Sequence, residues 1–166
     1  MTANIAADAE CFWTEAATHY AQPAVKKACL SLQQNHGLNI NLLLLGWWLA
    51  QRNIELLPEQ FKLLDAAAHP WHEQQLKVIR QLRSAASQTH WLEESQRQAL
   101  TQKLLDSELL MEQIEQRMLI ERLASLTPQT RTCASAQQNL WNYLLIAGVP
   151  YNNENNKLLT AISNSD

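Results

Sequence analysis

The sequence predicts an all-α fold, and three features carry that expectation. Leucine occurs 28 times against three valines (Val25, Val78, Val149), with Ala and Gln plentiful. Straight-chain residues and Ala lose little side-chain entropy in a helix, whereas strands favour β-branched residues. Only three Gly occur, two of them where helices should stop. Apolar residues also recur at helical spacing through most of the chain. The expected architecture is a single-domain bundle of about six or seven helices over residues 1–150, with one long helix near 92–126. The Asn-rich stretch 151–166 reads as a flexible tail with at most a weak turn.

Asp8 is a candidate N-cap for a first helix reaching Tyr20, with Phe12, Ala16 and Tyr20 on one face. Pro23 suits the first turn of a second helix, which should stop at His36-Gly37 with Gly37 in the left-handed conformation. Asn39 or Asn41 can cap a third helix to about Asn53, apolar nearly all round and so central. Pro58-Glu59 opens a short fourth helix. His69-Pro70 should break the chain, and Pro70 should start a fifth. From Leu92 to Leu126 there is neither Gly nor Pro. Leu100, Leu104, Met111, Ile114 and Met118 make one near-heptad stripe there, and Leu105, Leu109, Leu119, Leu123 and Leu126 a second. Thr127-Pro128 should end this helix. Ser135 can cap a last one, closed by Gly148 and Pro150.

Composition excludes several classes. The apolar share of 46% and charged share of 17% are those of a globular chain, not a disordered one. Net charge is −3 and the 13 Lys and Arg are dispersed, so general nucleic-acid binding, which needs clustered cations, is not expected. Residues 28–51 carry no charge, but Gln33, Gln34, Asn35, His36, Asn39 and Asn41 interrupt them. The unbroken apolar stretch 42–50 falls short of the roughly 20 residues a membrane span requires. Cys11, Cys29 and Cys133 are odd in number and lack a C-x-x-C pair, as expected of reduced thiols. With no basic n-region at the start, the expected location is the cytoplasm.

The segment Cys29-Leu30-Ser31-Leu32-Gln33-Gln34-Asn35-His36-Gly37-Leu38-Asn39-Ile40-Asn41-Leu42-Leu43-Leu44-Leu45, with Trp48-Leu49-Ala50 after it, resembles the signature of a bacterial family. That family is mainly gammaproteobacterial and catalogued as a domain of unknown function. Phe12-Trp13, Tyr20, Pro23-Ala24-Val25, Trp71 and Val78–Arg83 extend the resemblance, loosely, across about residues 10–125. It implies a small bacterial cytosolic protein and carries over no catalytic residue.

Candidate chemistry is sparse. His69-Pro70-Trp71-His72 puts two imidazoles three residues apart, which can suit zinc with Glu73 or His36 as a third ligand. However, His69 precedes a helix-starting proline and should point elsewhere, so no metal is assigned. Glu108, Glu112 and Glu115 share one helix face but lack the Glu-x-x-His pairs of a di-iron bundle, and read as a solvated acidic face. Cys29 and His36 stand about 10 Å apart along a helix, too far to pair. No nucleophile elbow, P-loop or dinucleotide loop exists, and no cofactor is implied. The turn His36–Asn41 remains. Its first explanation is structural, as a cap between two helices. Its functional explanation is a ligand pocket in which His36, Asn39, Asn41 and Arg80 or Arg83 converge within walls of Trp47, Trp48 and Trp71. With no catalytic constellation, the reading leans away from an enzyme. A protein-interaction or regulatory module comes first, docking a partner or a second copy through helix 92–126; a small-molecule-binding or enzymatic bundle using the polar turn is the alternative.

Overall fold

A computed structural model describes residues 5–126, 129–130 and 134–164. The chain is all-α. Its helices are α1 (Ile5–Tyr20), α2 (Pro23–His36), α3 (Ile40–Ala50), α4 (Pro58–Trp71), α5 (Lys77–Ser87), α6 (Glu94–Leu123), α7 (Ala136–Ile146) and α8 (Asn153–Ser163). A two-residue antiparallel pair joins β1 (Ile54–Glu55) to β2 (Gln129–Thr130). The expected stop at Thr127-Pro128, and Cys133, lie outside the described residues. No helix among the described residues is long and apolar enough to cross a membrane.

The centre is α3. Every residue from Asn41 to Ala50 is buried, and the helix packs against α1, α2, α4, α6 and α7. An element covered on all sides can be apolar on all sides, which explains the uncharged stretch without a membrane. Gly46 lets α7 and α4 come close: a Cβ there would lie 3.3 Å from Phe61 Cζ and 3.5 Å from Asn139 Cβ. Asn139 then staples the contact. Its amide donates to the Gly46 and Ile54 carbonyls, and its oxygen accepts from the Leu56 N–H, all at 3.0 Å.

Several boundaries follow the expected chemistry. Gly37 ends α2 at φ 69°, its N–H donating to the Gln33 carbonyl. Asn39 caps α3 by accepting from the Asn41 N–H, and Ser135 caps α7. Asp8, by contrast, lies inside α1 rather than at its cap.

Two expectations fail outright. The chain does not break at His69-Pro70. Pro70 lies inside α4, and α4 runs through a π-helical turn (His72–Leu76) into α5. Proline deletes one rung of the helical ladder and crowds the carbonyl four residues back. Here Ala66 and Pro70 are both exposed, so the orphaned carbonyl faces water, and the helix survives. Nor is the Asn-rich stretch a tail. It forms α8, capped by the Asn152 side chain, packed on α2 and α7, and buries Asn155, Leu159 and Ile162. Its Leu and Ile recur at helical spacing between the asparagines, and a low apolar share hid that stripe.

Candidate functional site

The long helix α6 buries a polar face. Glu108 is 6% exposed and Glu115 fully buried, with Glu112 half-buried between them. The expectation of a solvated acidic face is therefore overturned. What opposes the row decides its environment: α5 lies alongside and supplies guanidinium groups. Arg83 bonds both Glu108 oxygens (2.5 and 3.2 Å), and Arg80 spans Glu108 (3.3 Å) and Glu112 (2.5 Å). Burial raises the Glu112 carboxyl, against the opposing pull of Arg80. The leucine stripes fare differently from expectation. Leu119 is buried, but Leu100, Leu109 and Ile114 are exposed.

Among the described residues no arginine meets Glu115. Three side chains, two Asn and one His, serve it instead, from two distant segments. Asn39 donates to Oε1 at 3.2 Å, Asn41 to Oε2 at 2.5 Å, and His72 Nδ1 meets Oε1 at 3.0 Å. An ionised carboxylate only accepts, so Nδ1 carries the hydrogen, and in the neutral ring Nε2 is left as a lone pair. The network continues outward. Gln116 donates to Asn41 Oδ1 at 2.8 Å, and the Asn39 N–H donates to the Tyr143 hydroxyl at 2.9 Å. The cap of α3 thus doubles as the cradle of a buried charge. His72 reaches it from the first residue of the π-helical turn.

Against this network lies a cavity of about 190 Å³. Its wall includes His36, Asn39, Asp65, His69, His72, Glu73 and Tyr143. Burial raises the Asp65 carboxyl, offset by His69 and His72 nearby. Glu73 is held below its ordinary range by the hydrogen bond from Lys77. His36 Nε2 meets Asn155 Oδ1 at 3.2 Å, and the same amide donates to the Pro150 carbonyl. Among the described residues no three His, Cys, Asp or Glu side chains are grouped to hold a metal ion.

The residues expected to converge do so only in part. His36 and Asn39 line the cavity, and Asn41 lies behind it on Glu115. His69 lines it too, because the helix continues through Pro70 and keeps both imidazoles of the His69–His72 pair together. Trp71 turns to α6, its indole N–H donating to the Met111 carbonyl at 3.1 Å. Arg80 and Arg83 are spent on Glu108 and Glu112. Trp47 and Trp48 belong elsewhere: Trp47 stacks on His19 at 3.7 Å between ring centroids, and Trp48 packs on Phe12 under the Arg52 guanidinium. They point to the α1 side of α3, so they cannot wall the turn. Glu115, Asp65 and Tyr143 were missed. The only trace of Glu115 was its place in the Glu108–Glu112–Glu115 row.

No curated protein and no solved structure matches the chain. Residues 11–119 match the family described as protein of unknown function (DUF2390). That span holds the polar turn, His72 and Glu115, and the chain belongs to this family.

Proposed function

We propose that the protein binds a small polar molecule in the cavity between the α2–α3 turn, the π-helical turn and α7, with His72 as the group that meets it. One observation carries the reading. Glu115 is a fully buried carboxylate, and one of its three donors is an imidazole on the cavity wall. Removing a carboxylate from water costs several kcal/mol, and an apolar contact would join the same helices more cheaply. Such an arrangement is common where an imidazole must be oriented, since the carboxylate selects the tautomer and fixes the ring. A cavity of about 190 Å³ suits a small metabolite rather than a peptide or dinucleotide. The test is thermal-shift screening of small polar metabolites against the parent and His72→Gln. A compound that stabilises the parent and not the variant supports the reading; equal effects on both overturn it.

A second reading, association of two copies through α6, has its own support. Leu110 and Ile114 are 58% and 37% exposed, and each follows by two residues, about 200° around the helix, a glutamate that meets the arginines of α5. An antiparallel pair of α6 helices crossing level with Glu112 sets Leu110 against Ile114 of the second copy and Lys103 against Glu121. Opposite charges at both ends make the face self-complementary. Sedimentation should show a dimer that Lys103→Glu weakens and Lys103→Glu with Glu121→Lys restores. A monomer at all concentrations sinks the idea.

A further inference from the structure

The hydrogen-bond roles of the cavity wall narrow the ligand class, on the reading that the cavity binds a small polar molecule. Two imidazoles have their donor nitrogens engaged elsewhere. His72 gives its Nδ1–H to Glu115, leaving Nε2 as an acceptor. His36 gives its Nε2–H to Asn155 Oδ1, which must accept because the Asn155 amide donates to Pro150; Nδ1 of His36 is then an acceptor as well. Asp65 and Glu73 add carboxylates to the same wall. Lys77 neutralises Glu73. Among the described residues no Lys or Arg pairs with Asp65, and buried Glu115 nearby adds to the negative charge there. Tyr143, whose hydroxyl already accepts from Asn39, and one ring nitrogen of His69 can donate, but acceptors outnumber them. A wall of acceptors with one under-compensated carboxylate calls for an occupant that is donor-rich and positive.

We infer that the cavity takes a small cationic nitrogen compound, an alkylammonium or guanidinium, held by Asp65 with His72 Nε2 as a second acceptor. A guanidinium is planar, donates in several directions and sheds water readily, which fits a confined acceptor wall.

The experiment is amide-resolved NMR titration of the full chain near neutral pH. Its probes are methylguanidinium, a short alkyl diamine, acetate, inorganic phosphate and magnesium ion, each alone. The expected result is that the first two shift the Gly37, Asn39 and His72 amides and the others do not. Asp65→Asn, which keeps shape and removes charge, should weaken that binding by about tenfold or more, and Glu73→Gln by much less. Binding of acetate or phosphate at the same amides, binding of magnesium without the amines, or equal affinity in Asp65→Asn would overturn the ligand class while leaving a binding site. Shifts confined to other surfaces, or silence from every probe together with a failed metabolite screen, would overturn the site itself.

Discussion

Single residues carry the polar interior. Asp65 is a carboxylate that burial pushes above its ordinary value, so the folded state holds the proton more tightly than the unfolded chain does. Its contribution favours folding below the unfolded value and turns into a cost as pH rises through the folded one. Asp65→Asn should therefore be more stable than the parent near neutral pH, by about 1 kcal/mol or less after partial solvent screening. The gain should vanish in acid. Denaturant midpoints at the two pH values check both signs. A residue that costs stability and, by the inference above, holds the ligand is the pattern expected of a site rather than a strut. Glu115→Gln should do the opposite. Whichever way the new amide turns, its NH2 faces a donor from Asn41, or from Asn39 and His72. A loss of about 2–3 kcal/mol is expected for one unsatisfied buried donor, read as a lower urea midpoint with unchanged slope.

Among the elements, α8 is the sharpest departure from a reading of composition. Leu159 and Ile162 are fully buried, and the Ile162 carbonyl meets His19 Nε2 at 2.8 Å. Leu159→Ala should cost about 2–4 kcal/mol, whereas a residue in a tail would cost nothing measurable; thermal unfolding distinguishes the two. The elements that were legible share a property: their signals are local. Gly37, Asn39 and Ser135 act within a few residues of themselves, so a stop or cap can be read in place. The environment of Glu108, Glu112 and Glu115 is not local. Their spacing on one face was visible, yet burial or solvation depended on Arg80, Arg83 and His72 arriving from another helix. Trp47 and Trp48 mislead for the same reason, since helical phase puts them on α3 but says nothing of which neighbour they meet.

At the scale of the whole molecule, the α4–π–α5 segment ties the two polar systems of α6 together. Its first part delivers Asp65, His69 and His72 to the cavity, and its second delivers Arg80 and Arg83 to Glu108 and Glu112. An unbroken α-helix has one phase along its length, at about 100° per residue. The π-helical turn holds one residue more than a regular turn and so resets that phase between His72 and Arg80. The extra residue can therefore be treated as a spacer with an arithmetic. Deleting Gln75, which is exposed, should restore a regular helix and leave the arginines near their present phase, because four α-helical residues turn through about the same angle as five π-helical ones. Inserting one Ala after Gln75 adds a residue the wide turn cannot absorb and should rotate the arginines about 100° away from their carboxylates. Helix content by circular dichroism should be unchanged in both variants, and the urea midpoint markedly lower in the insertion alone. The chain length between His72 and Arg80 is thus as much a specification as the residues themselves: it tolerates the loss of one residue and not the gain of one.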